Sequence, residues 1–339
     1  MTAGLSLRQM QDLARDAAAA GFSGLVITEG GRTAYLPATA AVLGADIDVL
    51  TGVAVAFART PMVSAQVAWE LAEASGGRFR LGLGTQVRAH IERRYAAQFD
   101  PPGPRMKEYV AAVRAAFRGF RGEEKLAFEG EWWSMSLLPA QWSPGPIGVP
   151  DPPIDVAAVN PWMLRMAGEV ADGVHVHPLN TPTYLAETVV PNVAAGAAKG
   201  GRSVDDVGLI VPTFAAPGST SDEQQHWREY ARLQVSFYGS TPNYGFIFDQ
   251  VGHEGTTARI REKQKAGDIK GMAACISDDL LEHFCICGDW ADVADGIVER
   301  YSGTASRLVS YFAGMAWAQD PANLGAWGEL ARDVTKRTN

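Results

Sequence analysis

Apolar and polar positions along the chain switch repeatedly between a period near 3.6 and short runs that are apolar on both faces. LSLRQMQDLARDAAAAGF has apolar residues at helical spacing and stops at Gly21, a suitable C-terminal cap. GLVIT follows as a short strand, then LPATAAVLGA as a brief helix and VLTGVAVAF as a longer strand. PMVSAQVAWELAEASGG reads as a helix that starts on Pro61 and stops at Gly76-Gly77. RFRLGLGT, IDVAAV, GVHVHP, DVGLIVPTF and RLVSYF complete the strands, separated by helical segments such as RMKEYVAAVRAAFRGF. Strands apolar on both faces belong to a parallel sheet covered by helices. With TAGLS near the start counted as a short first strand there are eight, the number that closes a (β/α)8 TIM barrel.

Two excursions interrupt the alternation. Residues 120–150 read as a Trp-rich hairpin followed by a Pro/Gly loop, and residues 239–283 carry turn signals and the charged helix TTARIREKQKAG. Barrels routinely exceed 250 residues, so one domain over residues 1–339 is expected. Hydrophobic residues make up 47% and charged residues 20%, enough for a sizeable core. The net charge of −8, with no long basic cluster, argues against nucleic acid and anionic membranes as partners. No secretory pattern opens the chain, no apolar run approaches a membrane span, and Cys275, Cys285 and Cys287 fit no zinc or disulfide framework. A cytoplasmic protein is expected.

The stretch GGRFRLGLGTQVRAH, Gly76 to His90, poses the first chemical question. A strand running into Gly82-x-Gly84 resembles a dinucleotide fingerprint, but the third glycine is replaced by Val87 and no clean helix start follows. In a barrel these glycines end the fourth strand on the C-terminal face, where active sites form. Bare backbone there admits a flat ligand, or merely relieves crowding among the strands.

Several segments together resemble the luciferase-like monooxygenase superfamily, and within it the coenzyme F420-dependent oxidoreductases. They are GLVITEGG, the run LTGVAVAFARTPMVSAQVAWELAEASGGRFRLGLGTQVRAHIERR, GPRMKEYVAAVRA, AAVNPWMLRMAGEVADGVHVHP and ISDDLLEHFCICG. The resemblance implies a bulge with a non-prolyl cis peptide at Gly52-Val53, backing the flavin or deazaflavin ring with Val53, Ala54 and Val55. Without the family, the same residues are an inward-facing strand.

The resemblance also implies roles for scattered side chains. Glu29 falls near the ring, able to hydrogen-bond it or to act as an acid where burial raises its pKa. The next position is a histidine proton donor in some relatives, but here it is Gly30. Gly84, Thr85, Gln86 and His90 fall against the cofactor, with His90 also a candidate proton shuttle. Val87 replaces a glutamate of the sugar-phosphate enzymes, and Asn180 replaces their phosphate-binding lysine, so a sugar phosphate is not expected. Val159, Asn160, Trp162 and Met163 resemble the segment holding the cofactor's phosphodiester tail, where Pro161 starts a helix and free N–H groups can face a phosphate.

His175-x-His177 invites a metal-dependent hydrolase, but no Asp or Glu stands at matching strand ends, and no metal site is read. His177 falls where relatives contact substrate, and Phe57 with SFYGSTPNYGFIF reads either as the wall for a partly apolar substrate or as helix-packing or dimer-contact surface. The expected activity is therefore F420-dependent hydride transfer by Glu29, His90 and His177, in a homodimer. The alternatives are an FMN-dependent monooxygenase of the same superfamily and a cofactor-binding protein without catalysis.

Overall fold

Ser6 opens the first helix with a reciprocal cap, its hydroxyl accepting the Gln9 N–H while the Gln9 side chain accepts the Ser6 N–H. Gly21 closes the same helix at φ 91°, a left-handed conformation open to glycine. The computed structural model describes residues 4–338. Up to residue 207 the elements are α1 (Leu7–Ala20), β1 (Gly24–Ile27), α2 (Tyr35–Val42), β2 (Asp48–Thr51), β3 (Ala54–Val55), α3 (Pro61–Ala74), β4 (Phe79–Gly84), α4 (Arg88–Arg93), α5 (Pro102–Arg121), the hairpin β5 (Phe128–Glu129) and β6 (Ser134–Met135), β7 (Ile154–Ala158), α6 (Pro161–Val170), β8 (Gly173–Val176), α7 (Pro182–Tyr184) and α8 (Val190–Lys199). From there follow β9 (Gly208–Pro217), α9 (Ser221–Gly239), α10 (Gly245–Asp249), α11 (Thr256–Lys265), α12 (Ile269–Ala274), α13 (Asp278–Glu282), β10 (Cys285–Gly288), α14 (Trp290–Tyr301), β11 (Arg307–Ser310), α15 (Ala313–Gln319) and α16 (Leu324–Thr338).

Contacts group the chain into two compact units. The first takes residues up to Ala158 with Trp162–His175 and Val193–Val207. In it β1, β2, β4 and β7 pair in that order, all parallel. Ile27, Leu81, Leu83, Ile154 and Val156 are buried along those strands, and Trp69 stacks on Phe117 at 5.4 Å beneath the helices. Side chains of this size contribute roughly 1.5–3 kcal/mol each on burial. The second unit takes Val159–Pro161, Val176–Asn192 and the chain from Gly208. There β9 pairs in parallel with β11 along Ile210–Thr213 and with β10 along Phe214–Pro217, so one ten-residue strand serves two partners in succession. Phe214, Phe312, Trp227 and Trp327 build its aromatic core.

Two strand expectations change. Of TAGLS, counted as the first strand, Gly4–Ser6 is irregular, and residues 2 and 3 lie outside the described residues. Cys285–Gly288, absent from the strands read in the sequence, is one. It is short and cysteine-rich, and only its pairing with β9 reveals it.

VLTGVAVAF is also not one continuous strand. Val49 and Leu50 pair with Phe79 and Arg80, whereas Ala54 and Val55 pair with Leu83 and Gly84 of the same strand. From Leu50 to Ala54 the chain advances four residues against three from Arg80 to Leu83, so an extra residue is absorbed at Thr51–Val53. That is a β-bulge, of the kind that re-aims backbone beside sites. The Gly52–Val53 bond within it is cis, as is Asp100–Pro101.

Candidate active site

The C-terminal ends of β1, β3 and β4 lie side by side in the first unit, and the bulge is fastened there by a buried ion pair. Glu29, 8% exposed, accepts the Val55 N–H at 2.9 Å on Oε2. Arg59 embraces both carboxylate oxygens, Nη1 to Oε2 at 2.9 Å and Nη2 to Oε1 at 2.6 Å, and Nη1 also donates to the Val55 carbonyl at 3.0 Å. The Tyr95 hydroxyl lies 3.5 Å from Oε1. Burial works against the charge on Arg59, but the hydrogen bond and the charge of Glu29 outweigh it and hold the guanidinium above its usual pKa. The Glu29 carboxylate is thus occupied by protein donors, and its effect is to pin β3 just past the bulge.

Behind this pair runs a second buried chain. The Tyr35 hydroxyl donates to Ser64 Oγ at 2.8 Å, which lies 2.7 Å from the Tyr109 hydroxyl, and Tyr109 donates to the Thr60 carbonyl at 3.2 Å. Burial pushes the Tyr35 phenol up to about 12 and Tyr109 higher still, so both remain protonated donors.

The glycines of β4 are explained by crowding. A Cβ on Gly82 would sit 1.8 Å from the Thr51 carbonyl and 2.5 Å from His175 Nε2, and one on Gly84 would sit 2.5 Å from Val53 Cγ2. On the side where a Cβ would stand, the bare backbone is filled by protein atoms. Gly52 is equally constrained, since its Cβ would meet Val26 Cγ1 at 2.2 Å. Gly30 differs, having nothing within 4 Å of its Cβ position. Beneath the glycines Asp155, wholly buried, binds Arg80 through both oxygens at 2.9 and 2.5 Å and lies 4.0 Å from His175 Nε2, which has no hydrogen-bond partner among the described residues. Burial lowers the His175 pKa, and the nearby Asp155 charge only partly offsets it.

Past β4 the chain is exposed. Thr85 Oγ1 donates to the Gln86 carbonyl, and Gln86, at φ 59°, turns its own side chain back to accept the Val87 N–H at 2.9 Å. His90 projects into solvent from α4 without a side-chain hydrogen bond among the described residues. At the start of α6, Trp162 is 45% exposed and its ring fills the space beside Gly103, leaving 2.2 Å to a Cβ there. Met163 is half-buried.

In the second unit Val159 offers its carbonyl to the Tyr184 hydroxyl at 2.7 Å, and Asn160 is exposed. His177 follows β8, its ring 4.8 Å from Tyr238 and 4.4 Å from Tyr244. Its Nδ1 accepts the Leu179 N–H at 3.0 Å, so the neutral ring carries its hydrogen on Nε2. Burial pulls this imidazole down to about 3. Asn180 ties the turn together, donating to the carbonyls of His177 and Pro212, each at 2.9 Å.

Of the expected site residues, Glu29, Gly52, Val53, Ala54, Val55 and Gly84 are brought into direct contact or register with one another. His90 stands apart from that group. The residue sequence reading missed is Arg59, which lies within the resembling run LTGVAVAFARTP. A signal was present: a lone acid ends the apolar run of β1, and a lone base follows the apolar run of β3.

Comparison with known proteins extends the picture. The chain is 36% identical over 315 residues to the uncharacterized protein Rv1360 of Mycobacterium tuberculosis, covering 91% of this chain and 92% of that one. It is 28% identical over 258 residues to the 5,10-methylenetetrahydromethanopterin reductase of Archaeoglobus fulgidus, covering 74% and 72%. The structure of the coenzyme F420-dependent tetrahydromethanopterin reductase of Methanopyrus kandleri superposes with a TM-score of 0.79 at 21% identity, over 100% of this chain and 98% of that one, so the two share the α/β barrel fold of this group. Residues 1–307 match the family model described as luciferase-like monooxygenase, and the chain belongs to that family.

Proposed function

We propose that the protein is an oxidoreductase that works with coenzyme F420 and a small, partly apolar organic substrate. The observation that carries this reading is the bulge at Thr51–Val53, held from behind by Glu29 and Arg59. Gly52 and Val53 keep surface open within a run, residues 51–57, that is otherwise buried. This open edge fits the rear face of a flat ring system, with Ala54, Val55 and Gly84 as its small apolar support. When bound, the deazaflavin supplies hydride transfer at its C5.

The chain's own residues orient and protonate. Glu29 and Arg59 keep the supporting strand in place. Thr85 and Gln86 border the ring, and the segment Val159 to Met163, leading into α6, receives the tail through backbone N–H groups at a helix start. His90 is the solvent-facing proton source, and His177, kept neutral, donates a hydrogen bond to substrate through Nε2. A single-domain protein acting as a cytoplasmic homodimer accompanies this reading, and light scattering at micromolar concentration checks the dimer.

The family model's own description favours a second reading, an FMN-dependent monooxygenase. Equilibrium titration of the purified protein with F420 and with FMN separates the two. Saturable F420 binding with negligible FMN binding is expected, and the reverse order replaces the proposal with the monooxygenase. Oxidation of reduced F420 by carbonyl or enone substrates then separates an enzyme from a protein that only binds the cofactor.

A further inference from the structure

Arg105, in the second turn of α5, is only 7% exposed, yet no carboxylate pairs with it among the described residues. Its guanidinium carbon lies 4.7 Å from the Phe57 ring centroid and 5.2 Å from that of Trp133, so the cation lies over both rings, which adjoin each other at 6.3 Å and are inclined at 34°. Among the described residues its side chain makes one hydrogen bond, from Nη1 to the Gln98 carbonyl, and Nε is buried without a partner there.

The two acids close enough to influence it are both engaged elsewhere. Glu108 spends its carboxylate on the successive N–H groups of Glu131, Trp132 and Trp133, at 2.8–2.9 Å. Asp100 binds Arg88 through both oxygens. Burial accordingly lowers the Arg105 pKa, with Glu108 and Asp100 offsetting only part of the effect. A buried guanidinium without a contacting anion is costly and asks for one.

A guanidinium held over aromatic rings keeps N–H donors that can take both oxygens of a carboxylate. The surroundings are apolar, with Phe99 packed edge-on against Phe57 at 6.3 Å. Phe57 and Gln98 belong to the segments that follow β3 and β4, on the C-terminal side of parallel strands, where ligands of α/β proteins gather. The hairpin that presents Trp133 is held to α5 by Glu108, so the placing of Trp133 beside Arg105 is built by the fold.

We infer that Arg105, Phe57 and Trp133 form an anion site that takes a carboxylate carried on an apolar or aromatic body. The same chemistry is available from a substrate or from the carboxylate-bearing tail of F420.

The probe is benzoate, with benzyl alcohol as its uncharged counterpart, added to the full-length protein and followed by tryptophan fluorescence and thermal unfolding. Wild type is expected to bind benzoate at least tenfold more tightly than benzyl alcohol, and Arg105→Met to lose that preference while keeping its benzyl alcohol affinity. Equal affinity for the two probes in wild type, or an unchanged preference in Arg105→Met, overturns the inference. Should Arg105→Met fold poorly, the Arg105 Nε–H resonance of wild type, assigned with Arg105→Lys, must shift with benzoate and stay still with benzyl alcohol; the opposite pattern overturns it. Competition then assigns the source. Displacement of benzoate by F420 but not by its tail-less deazaflavin core identifies the tail, and co-binding of benzoate with F420 identifies a substrate carboxylate.

Discussion

Glu29 accepts the backbone N–H of Val55 at 2.9 Å, so a side chain at the end of one strand fixes the backbone of its neighbour's neighbour in sequence, just beyond the bulge. Arg59 locks the same carboxylate from the other side. Removing one member of a buried pair strands the other, at a cost of about 3–5 kcal/mol. Arg59→Met should therefore destabilise strongly. Glu29→Gln should cost less, because an amide oxygen can still accept the Val55 N–H and the Arg59 side chain retains some exposure. The double variant should be more stable than the two single losses add up to, and urea denaturation of the four proteins measures that coupling. Strict additivity would remove the pair from the account of the bulge.

The glycines make a graded prediction. Gly84→Ala meets a side chain, Val53 Cγ2, which can shift, and should cost roughly 1–3 kcal/mol as ordinary overpacking. Gly82→Ala meets the Thr51 carbonyl, a backbone atom in the sheet, and should cost more than Gly84→Ala. Gly30→Ala meets nothing and should be nearly neutral. Chemical denaturation gives all three, and a neutral Gly82→Ala would contradict the packing described here.

The helices and most strands were legible because their signals are local: Ser6 and Gln9 cap one helix, Thr60 and Pro61 open another, and Gly21 stops a third boundary cleanly. The bulge was legible only through resemblance, since a one-residue change of register between Leu50 and Ala54 leaves no mark on hydrophobic periodicity. Likewise, nothing in Glu29 or Arg59 alone reveals a pair 30 residues apart in sequence. The Cβ-side packing of the β4 glycines is not legible, because a missing Cβ reads the same in the sequence whether a cofactor or a neighbouring valine lies against it. His177 could be singled out as a site residue, but its tautomer depends on the Leu179 N–H, which only the folded turn supplies.

That histidine sets a pH dependence with a definite sign. Burial holds the folded imidazole near 3, whereas an exposed one titrates at 6.5. As pH falls below about 6.5 the unfolded chain takes up a proton that the folded chain refuses, so stability is lost between those two values and is unaffected above them. The slope from this group is at most about 1.4 kcal/mol per pH unit. His175, also lowered by burial, acts in the same direction, so the comparison must be differential. His177→Gln should lose less stability than wild type between pH 6.5 and 4, and parallel curves in thermal or urea unfolding would show that His177 titrates normally.

Glu108 should act as the clamp of the Trp-rich hairpin. It takes three backbone N–H groups at residues 131–133, which places Trp133 against Tyr109 at 5.1 Å. Glu108→Ala leaves these donors without that acceptor, at roughly 1–3 kcal/mol for those that stay buried. Faster proteolysis within residues 123–150 and a red-shifted tryptophan emission are expected, with α5 intact by circular dichroism. Unchanged cleavage would mean that the hairpin is held by its own ring contacts.

The proton source is the last step to be tested, and it divides between His90 and the empty space at Gly30. His90 faces solvent, so it can exchange protons with water but is not held in one orientation. General acid catalysis contributes typically ~10²–10⁴-fold, whereas a neutral hydrogen bond contributes roughly 0.5–1.5 kcal/mol. If His90 is the donor, His90→Ala should lower single-turnover hydride transfer about a hundredfold or more with near-normal F420 affinity. The Glu29 carboxylate, engaged by Val55 and Arg59, is not expected to supply that proton, so Glu29→Gln should weaken F420 binding more than it slows the saturated rate. Gly30→His offers the converse experiment, because a Cβ at that position meets no atom within 4 Å. In a His90→Ala background, Gly30→His should restore part of the lost rate and move the pH profile. If His90→Ala reacts at the parent rate and Gly30→His changes nothing, protonation occurs without either position, and the proton comes from solvent or from His177.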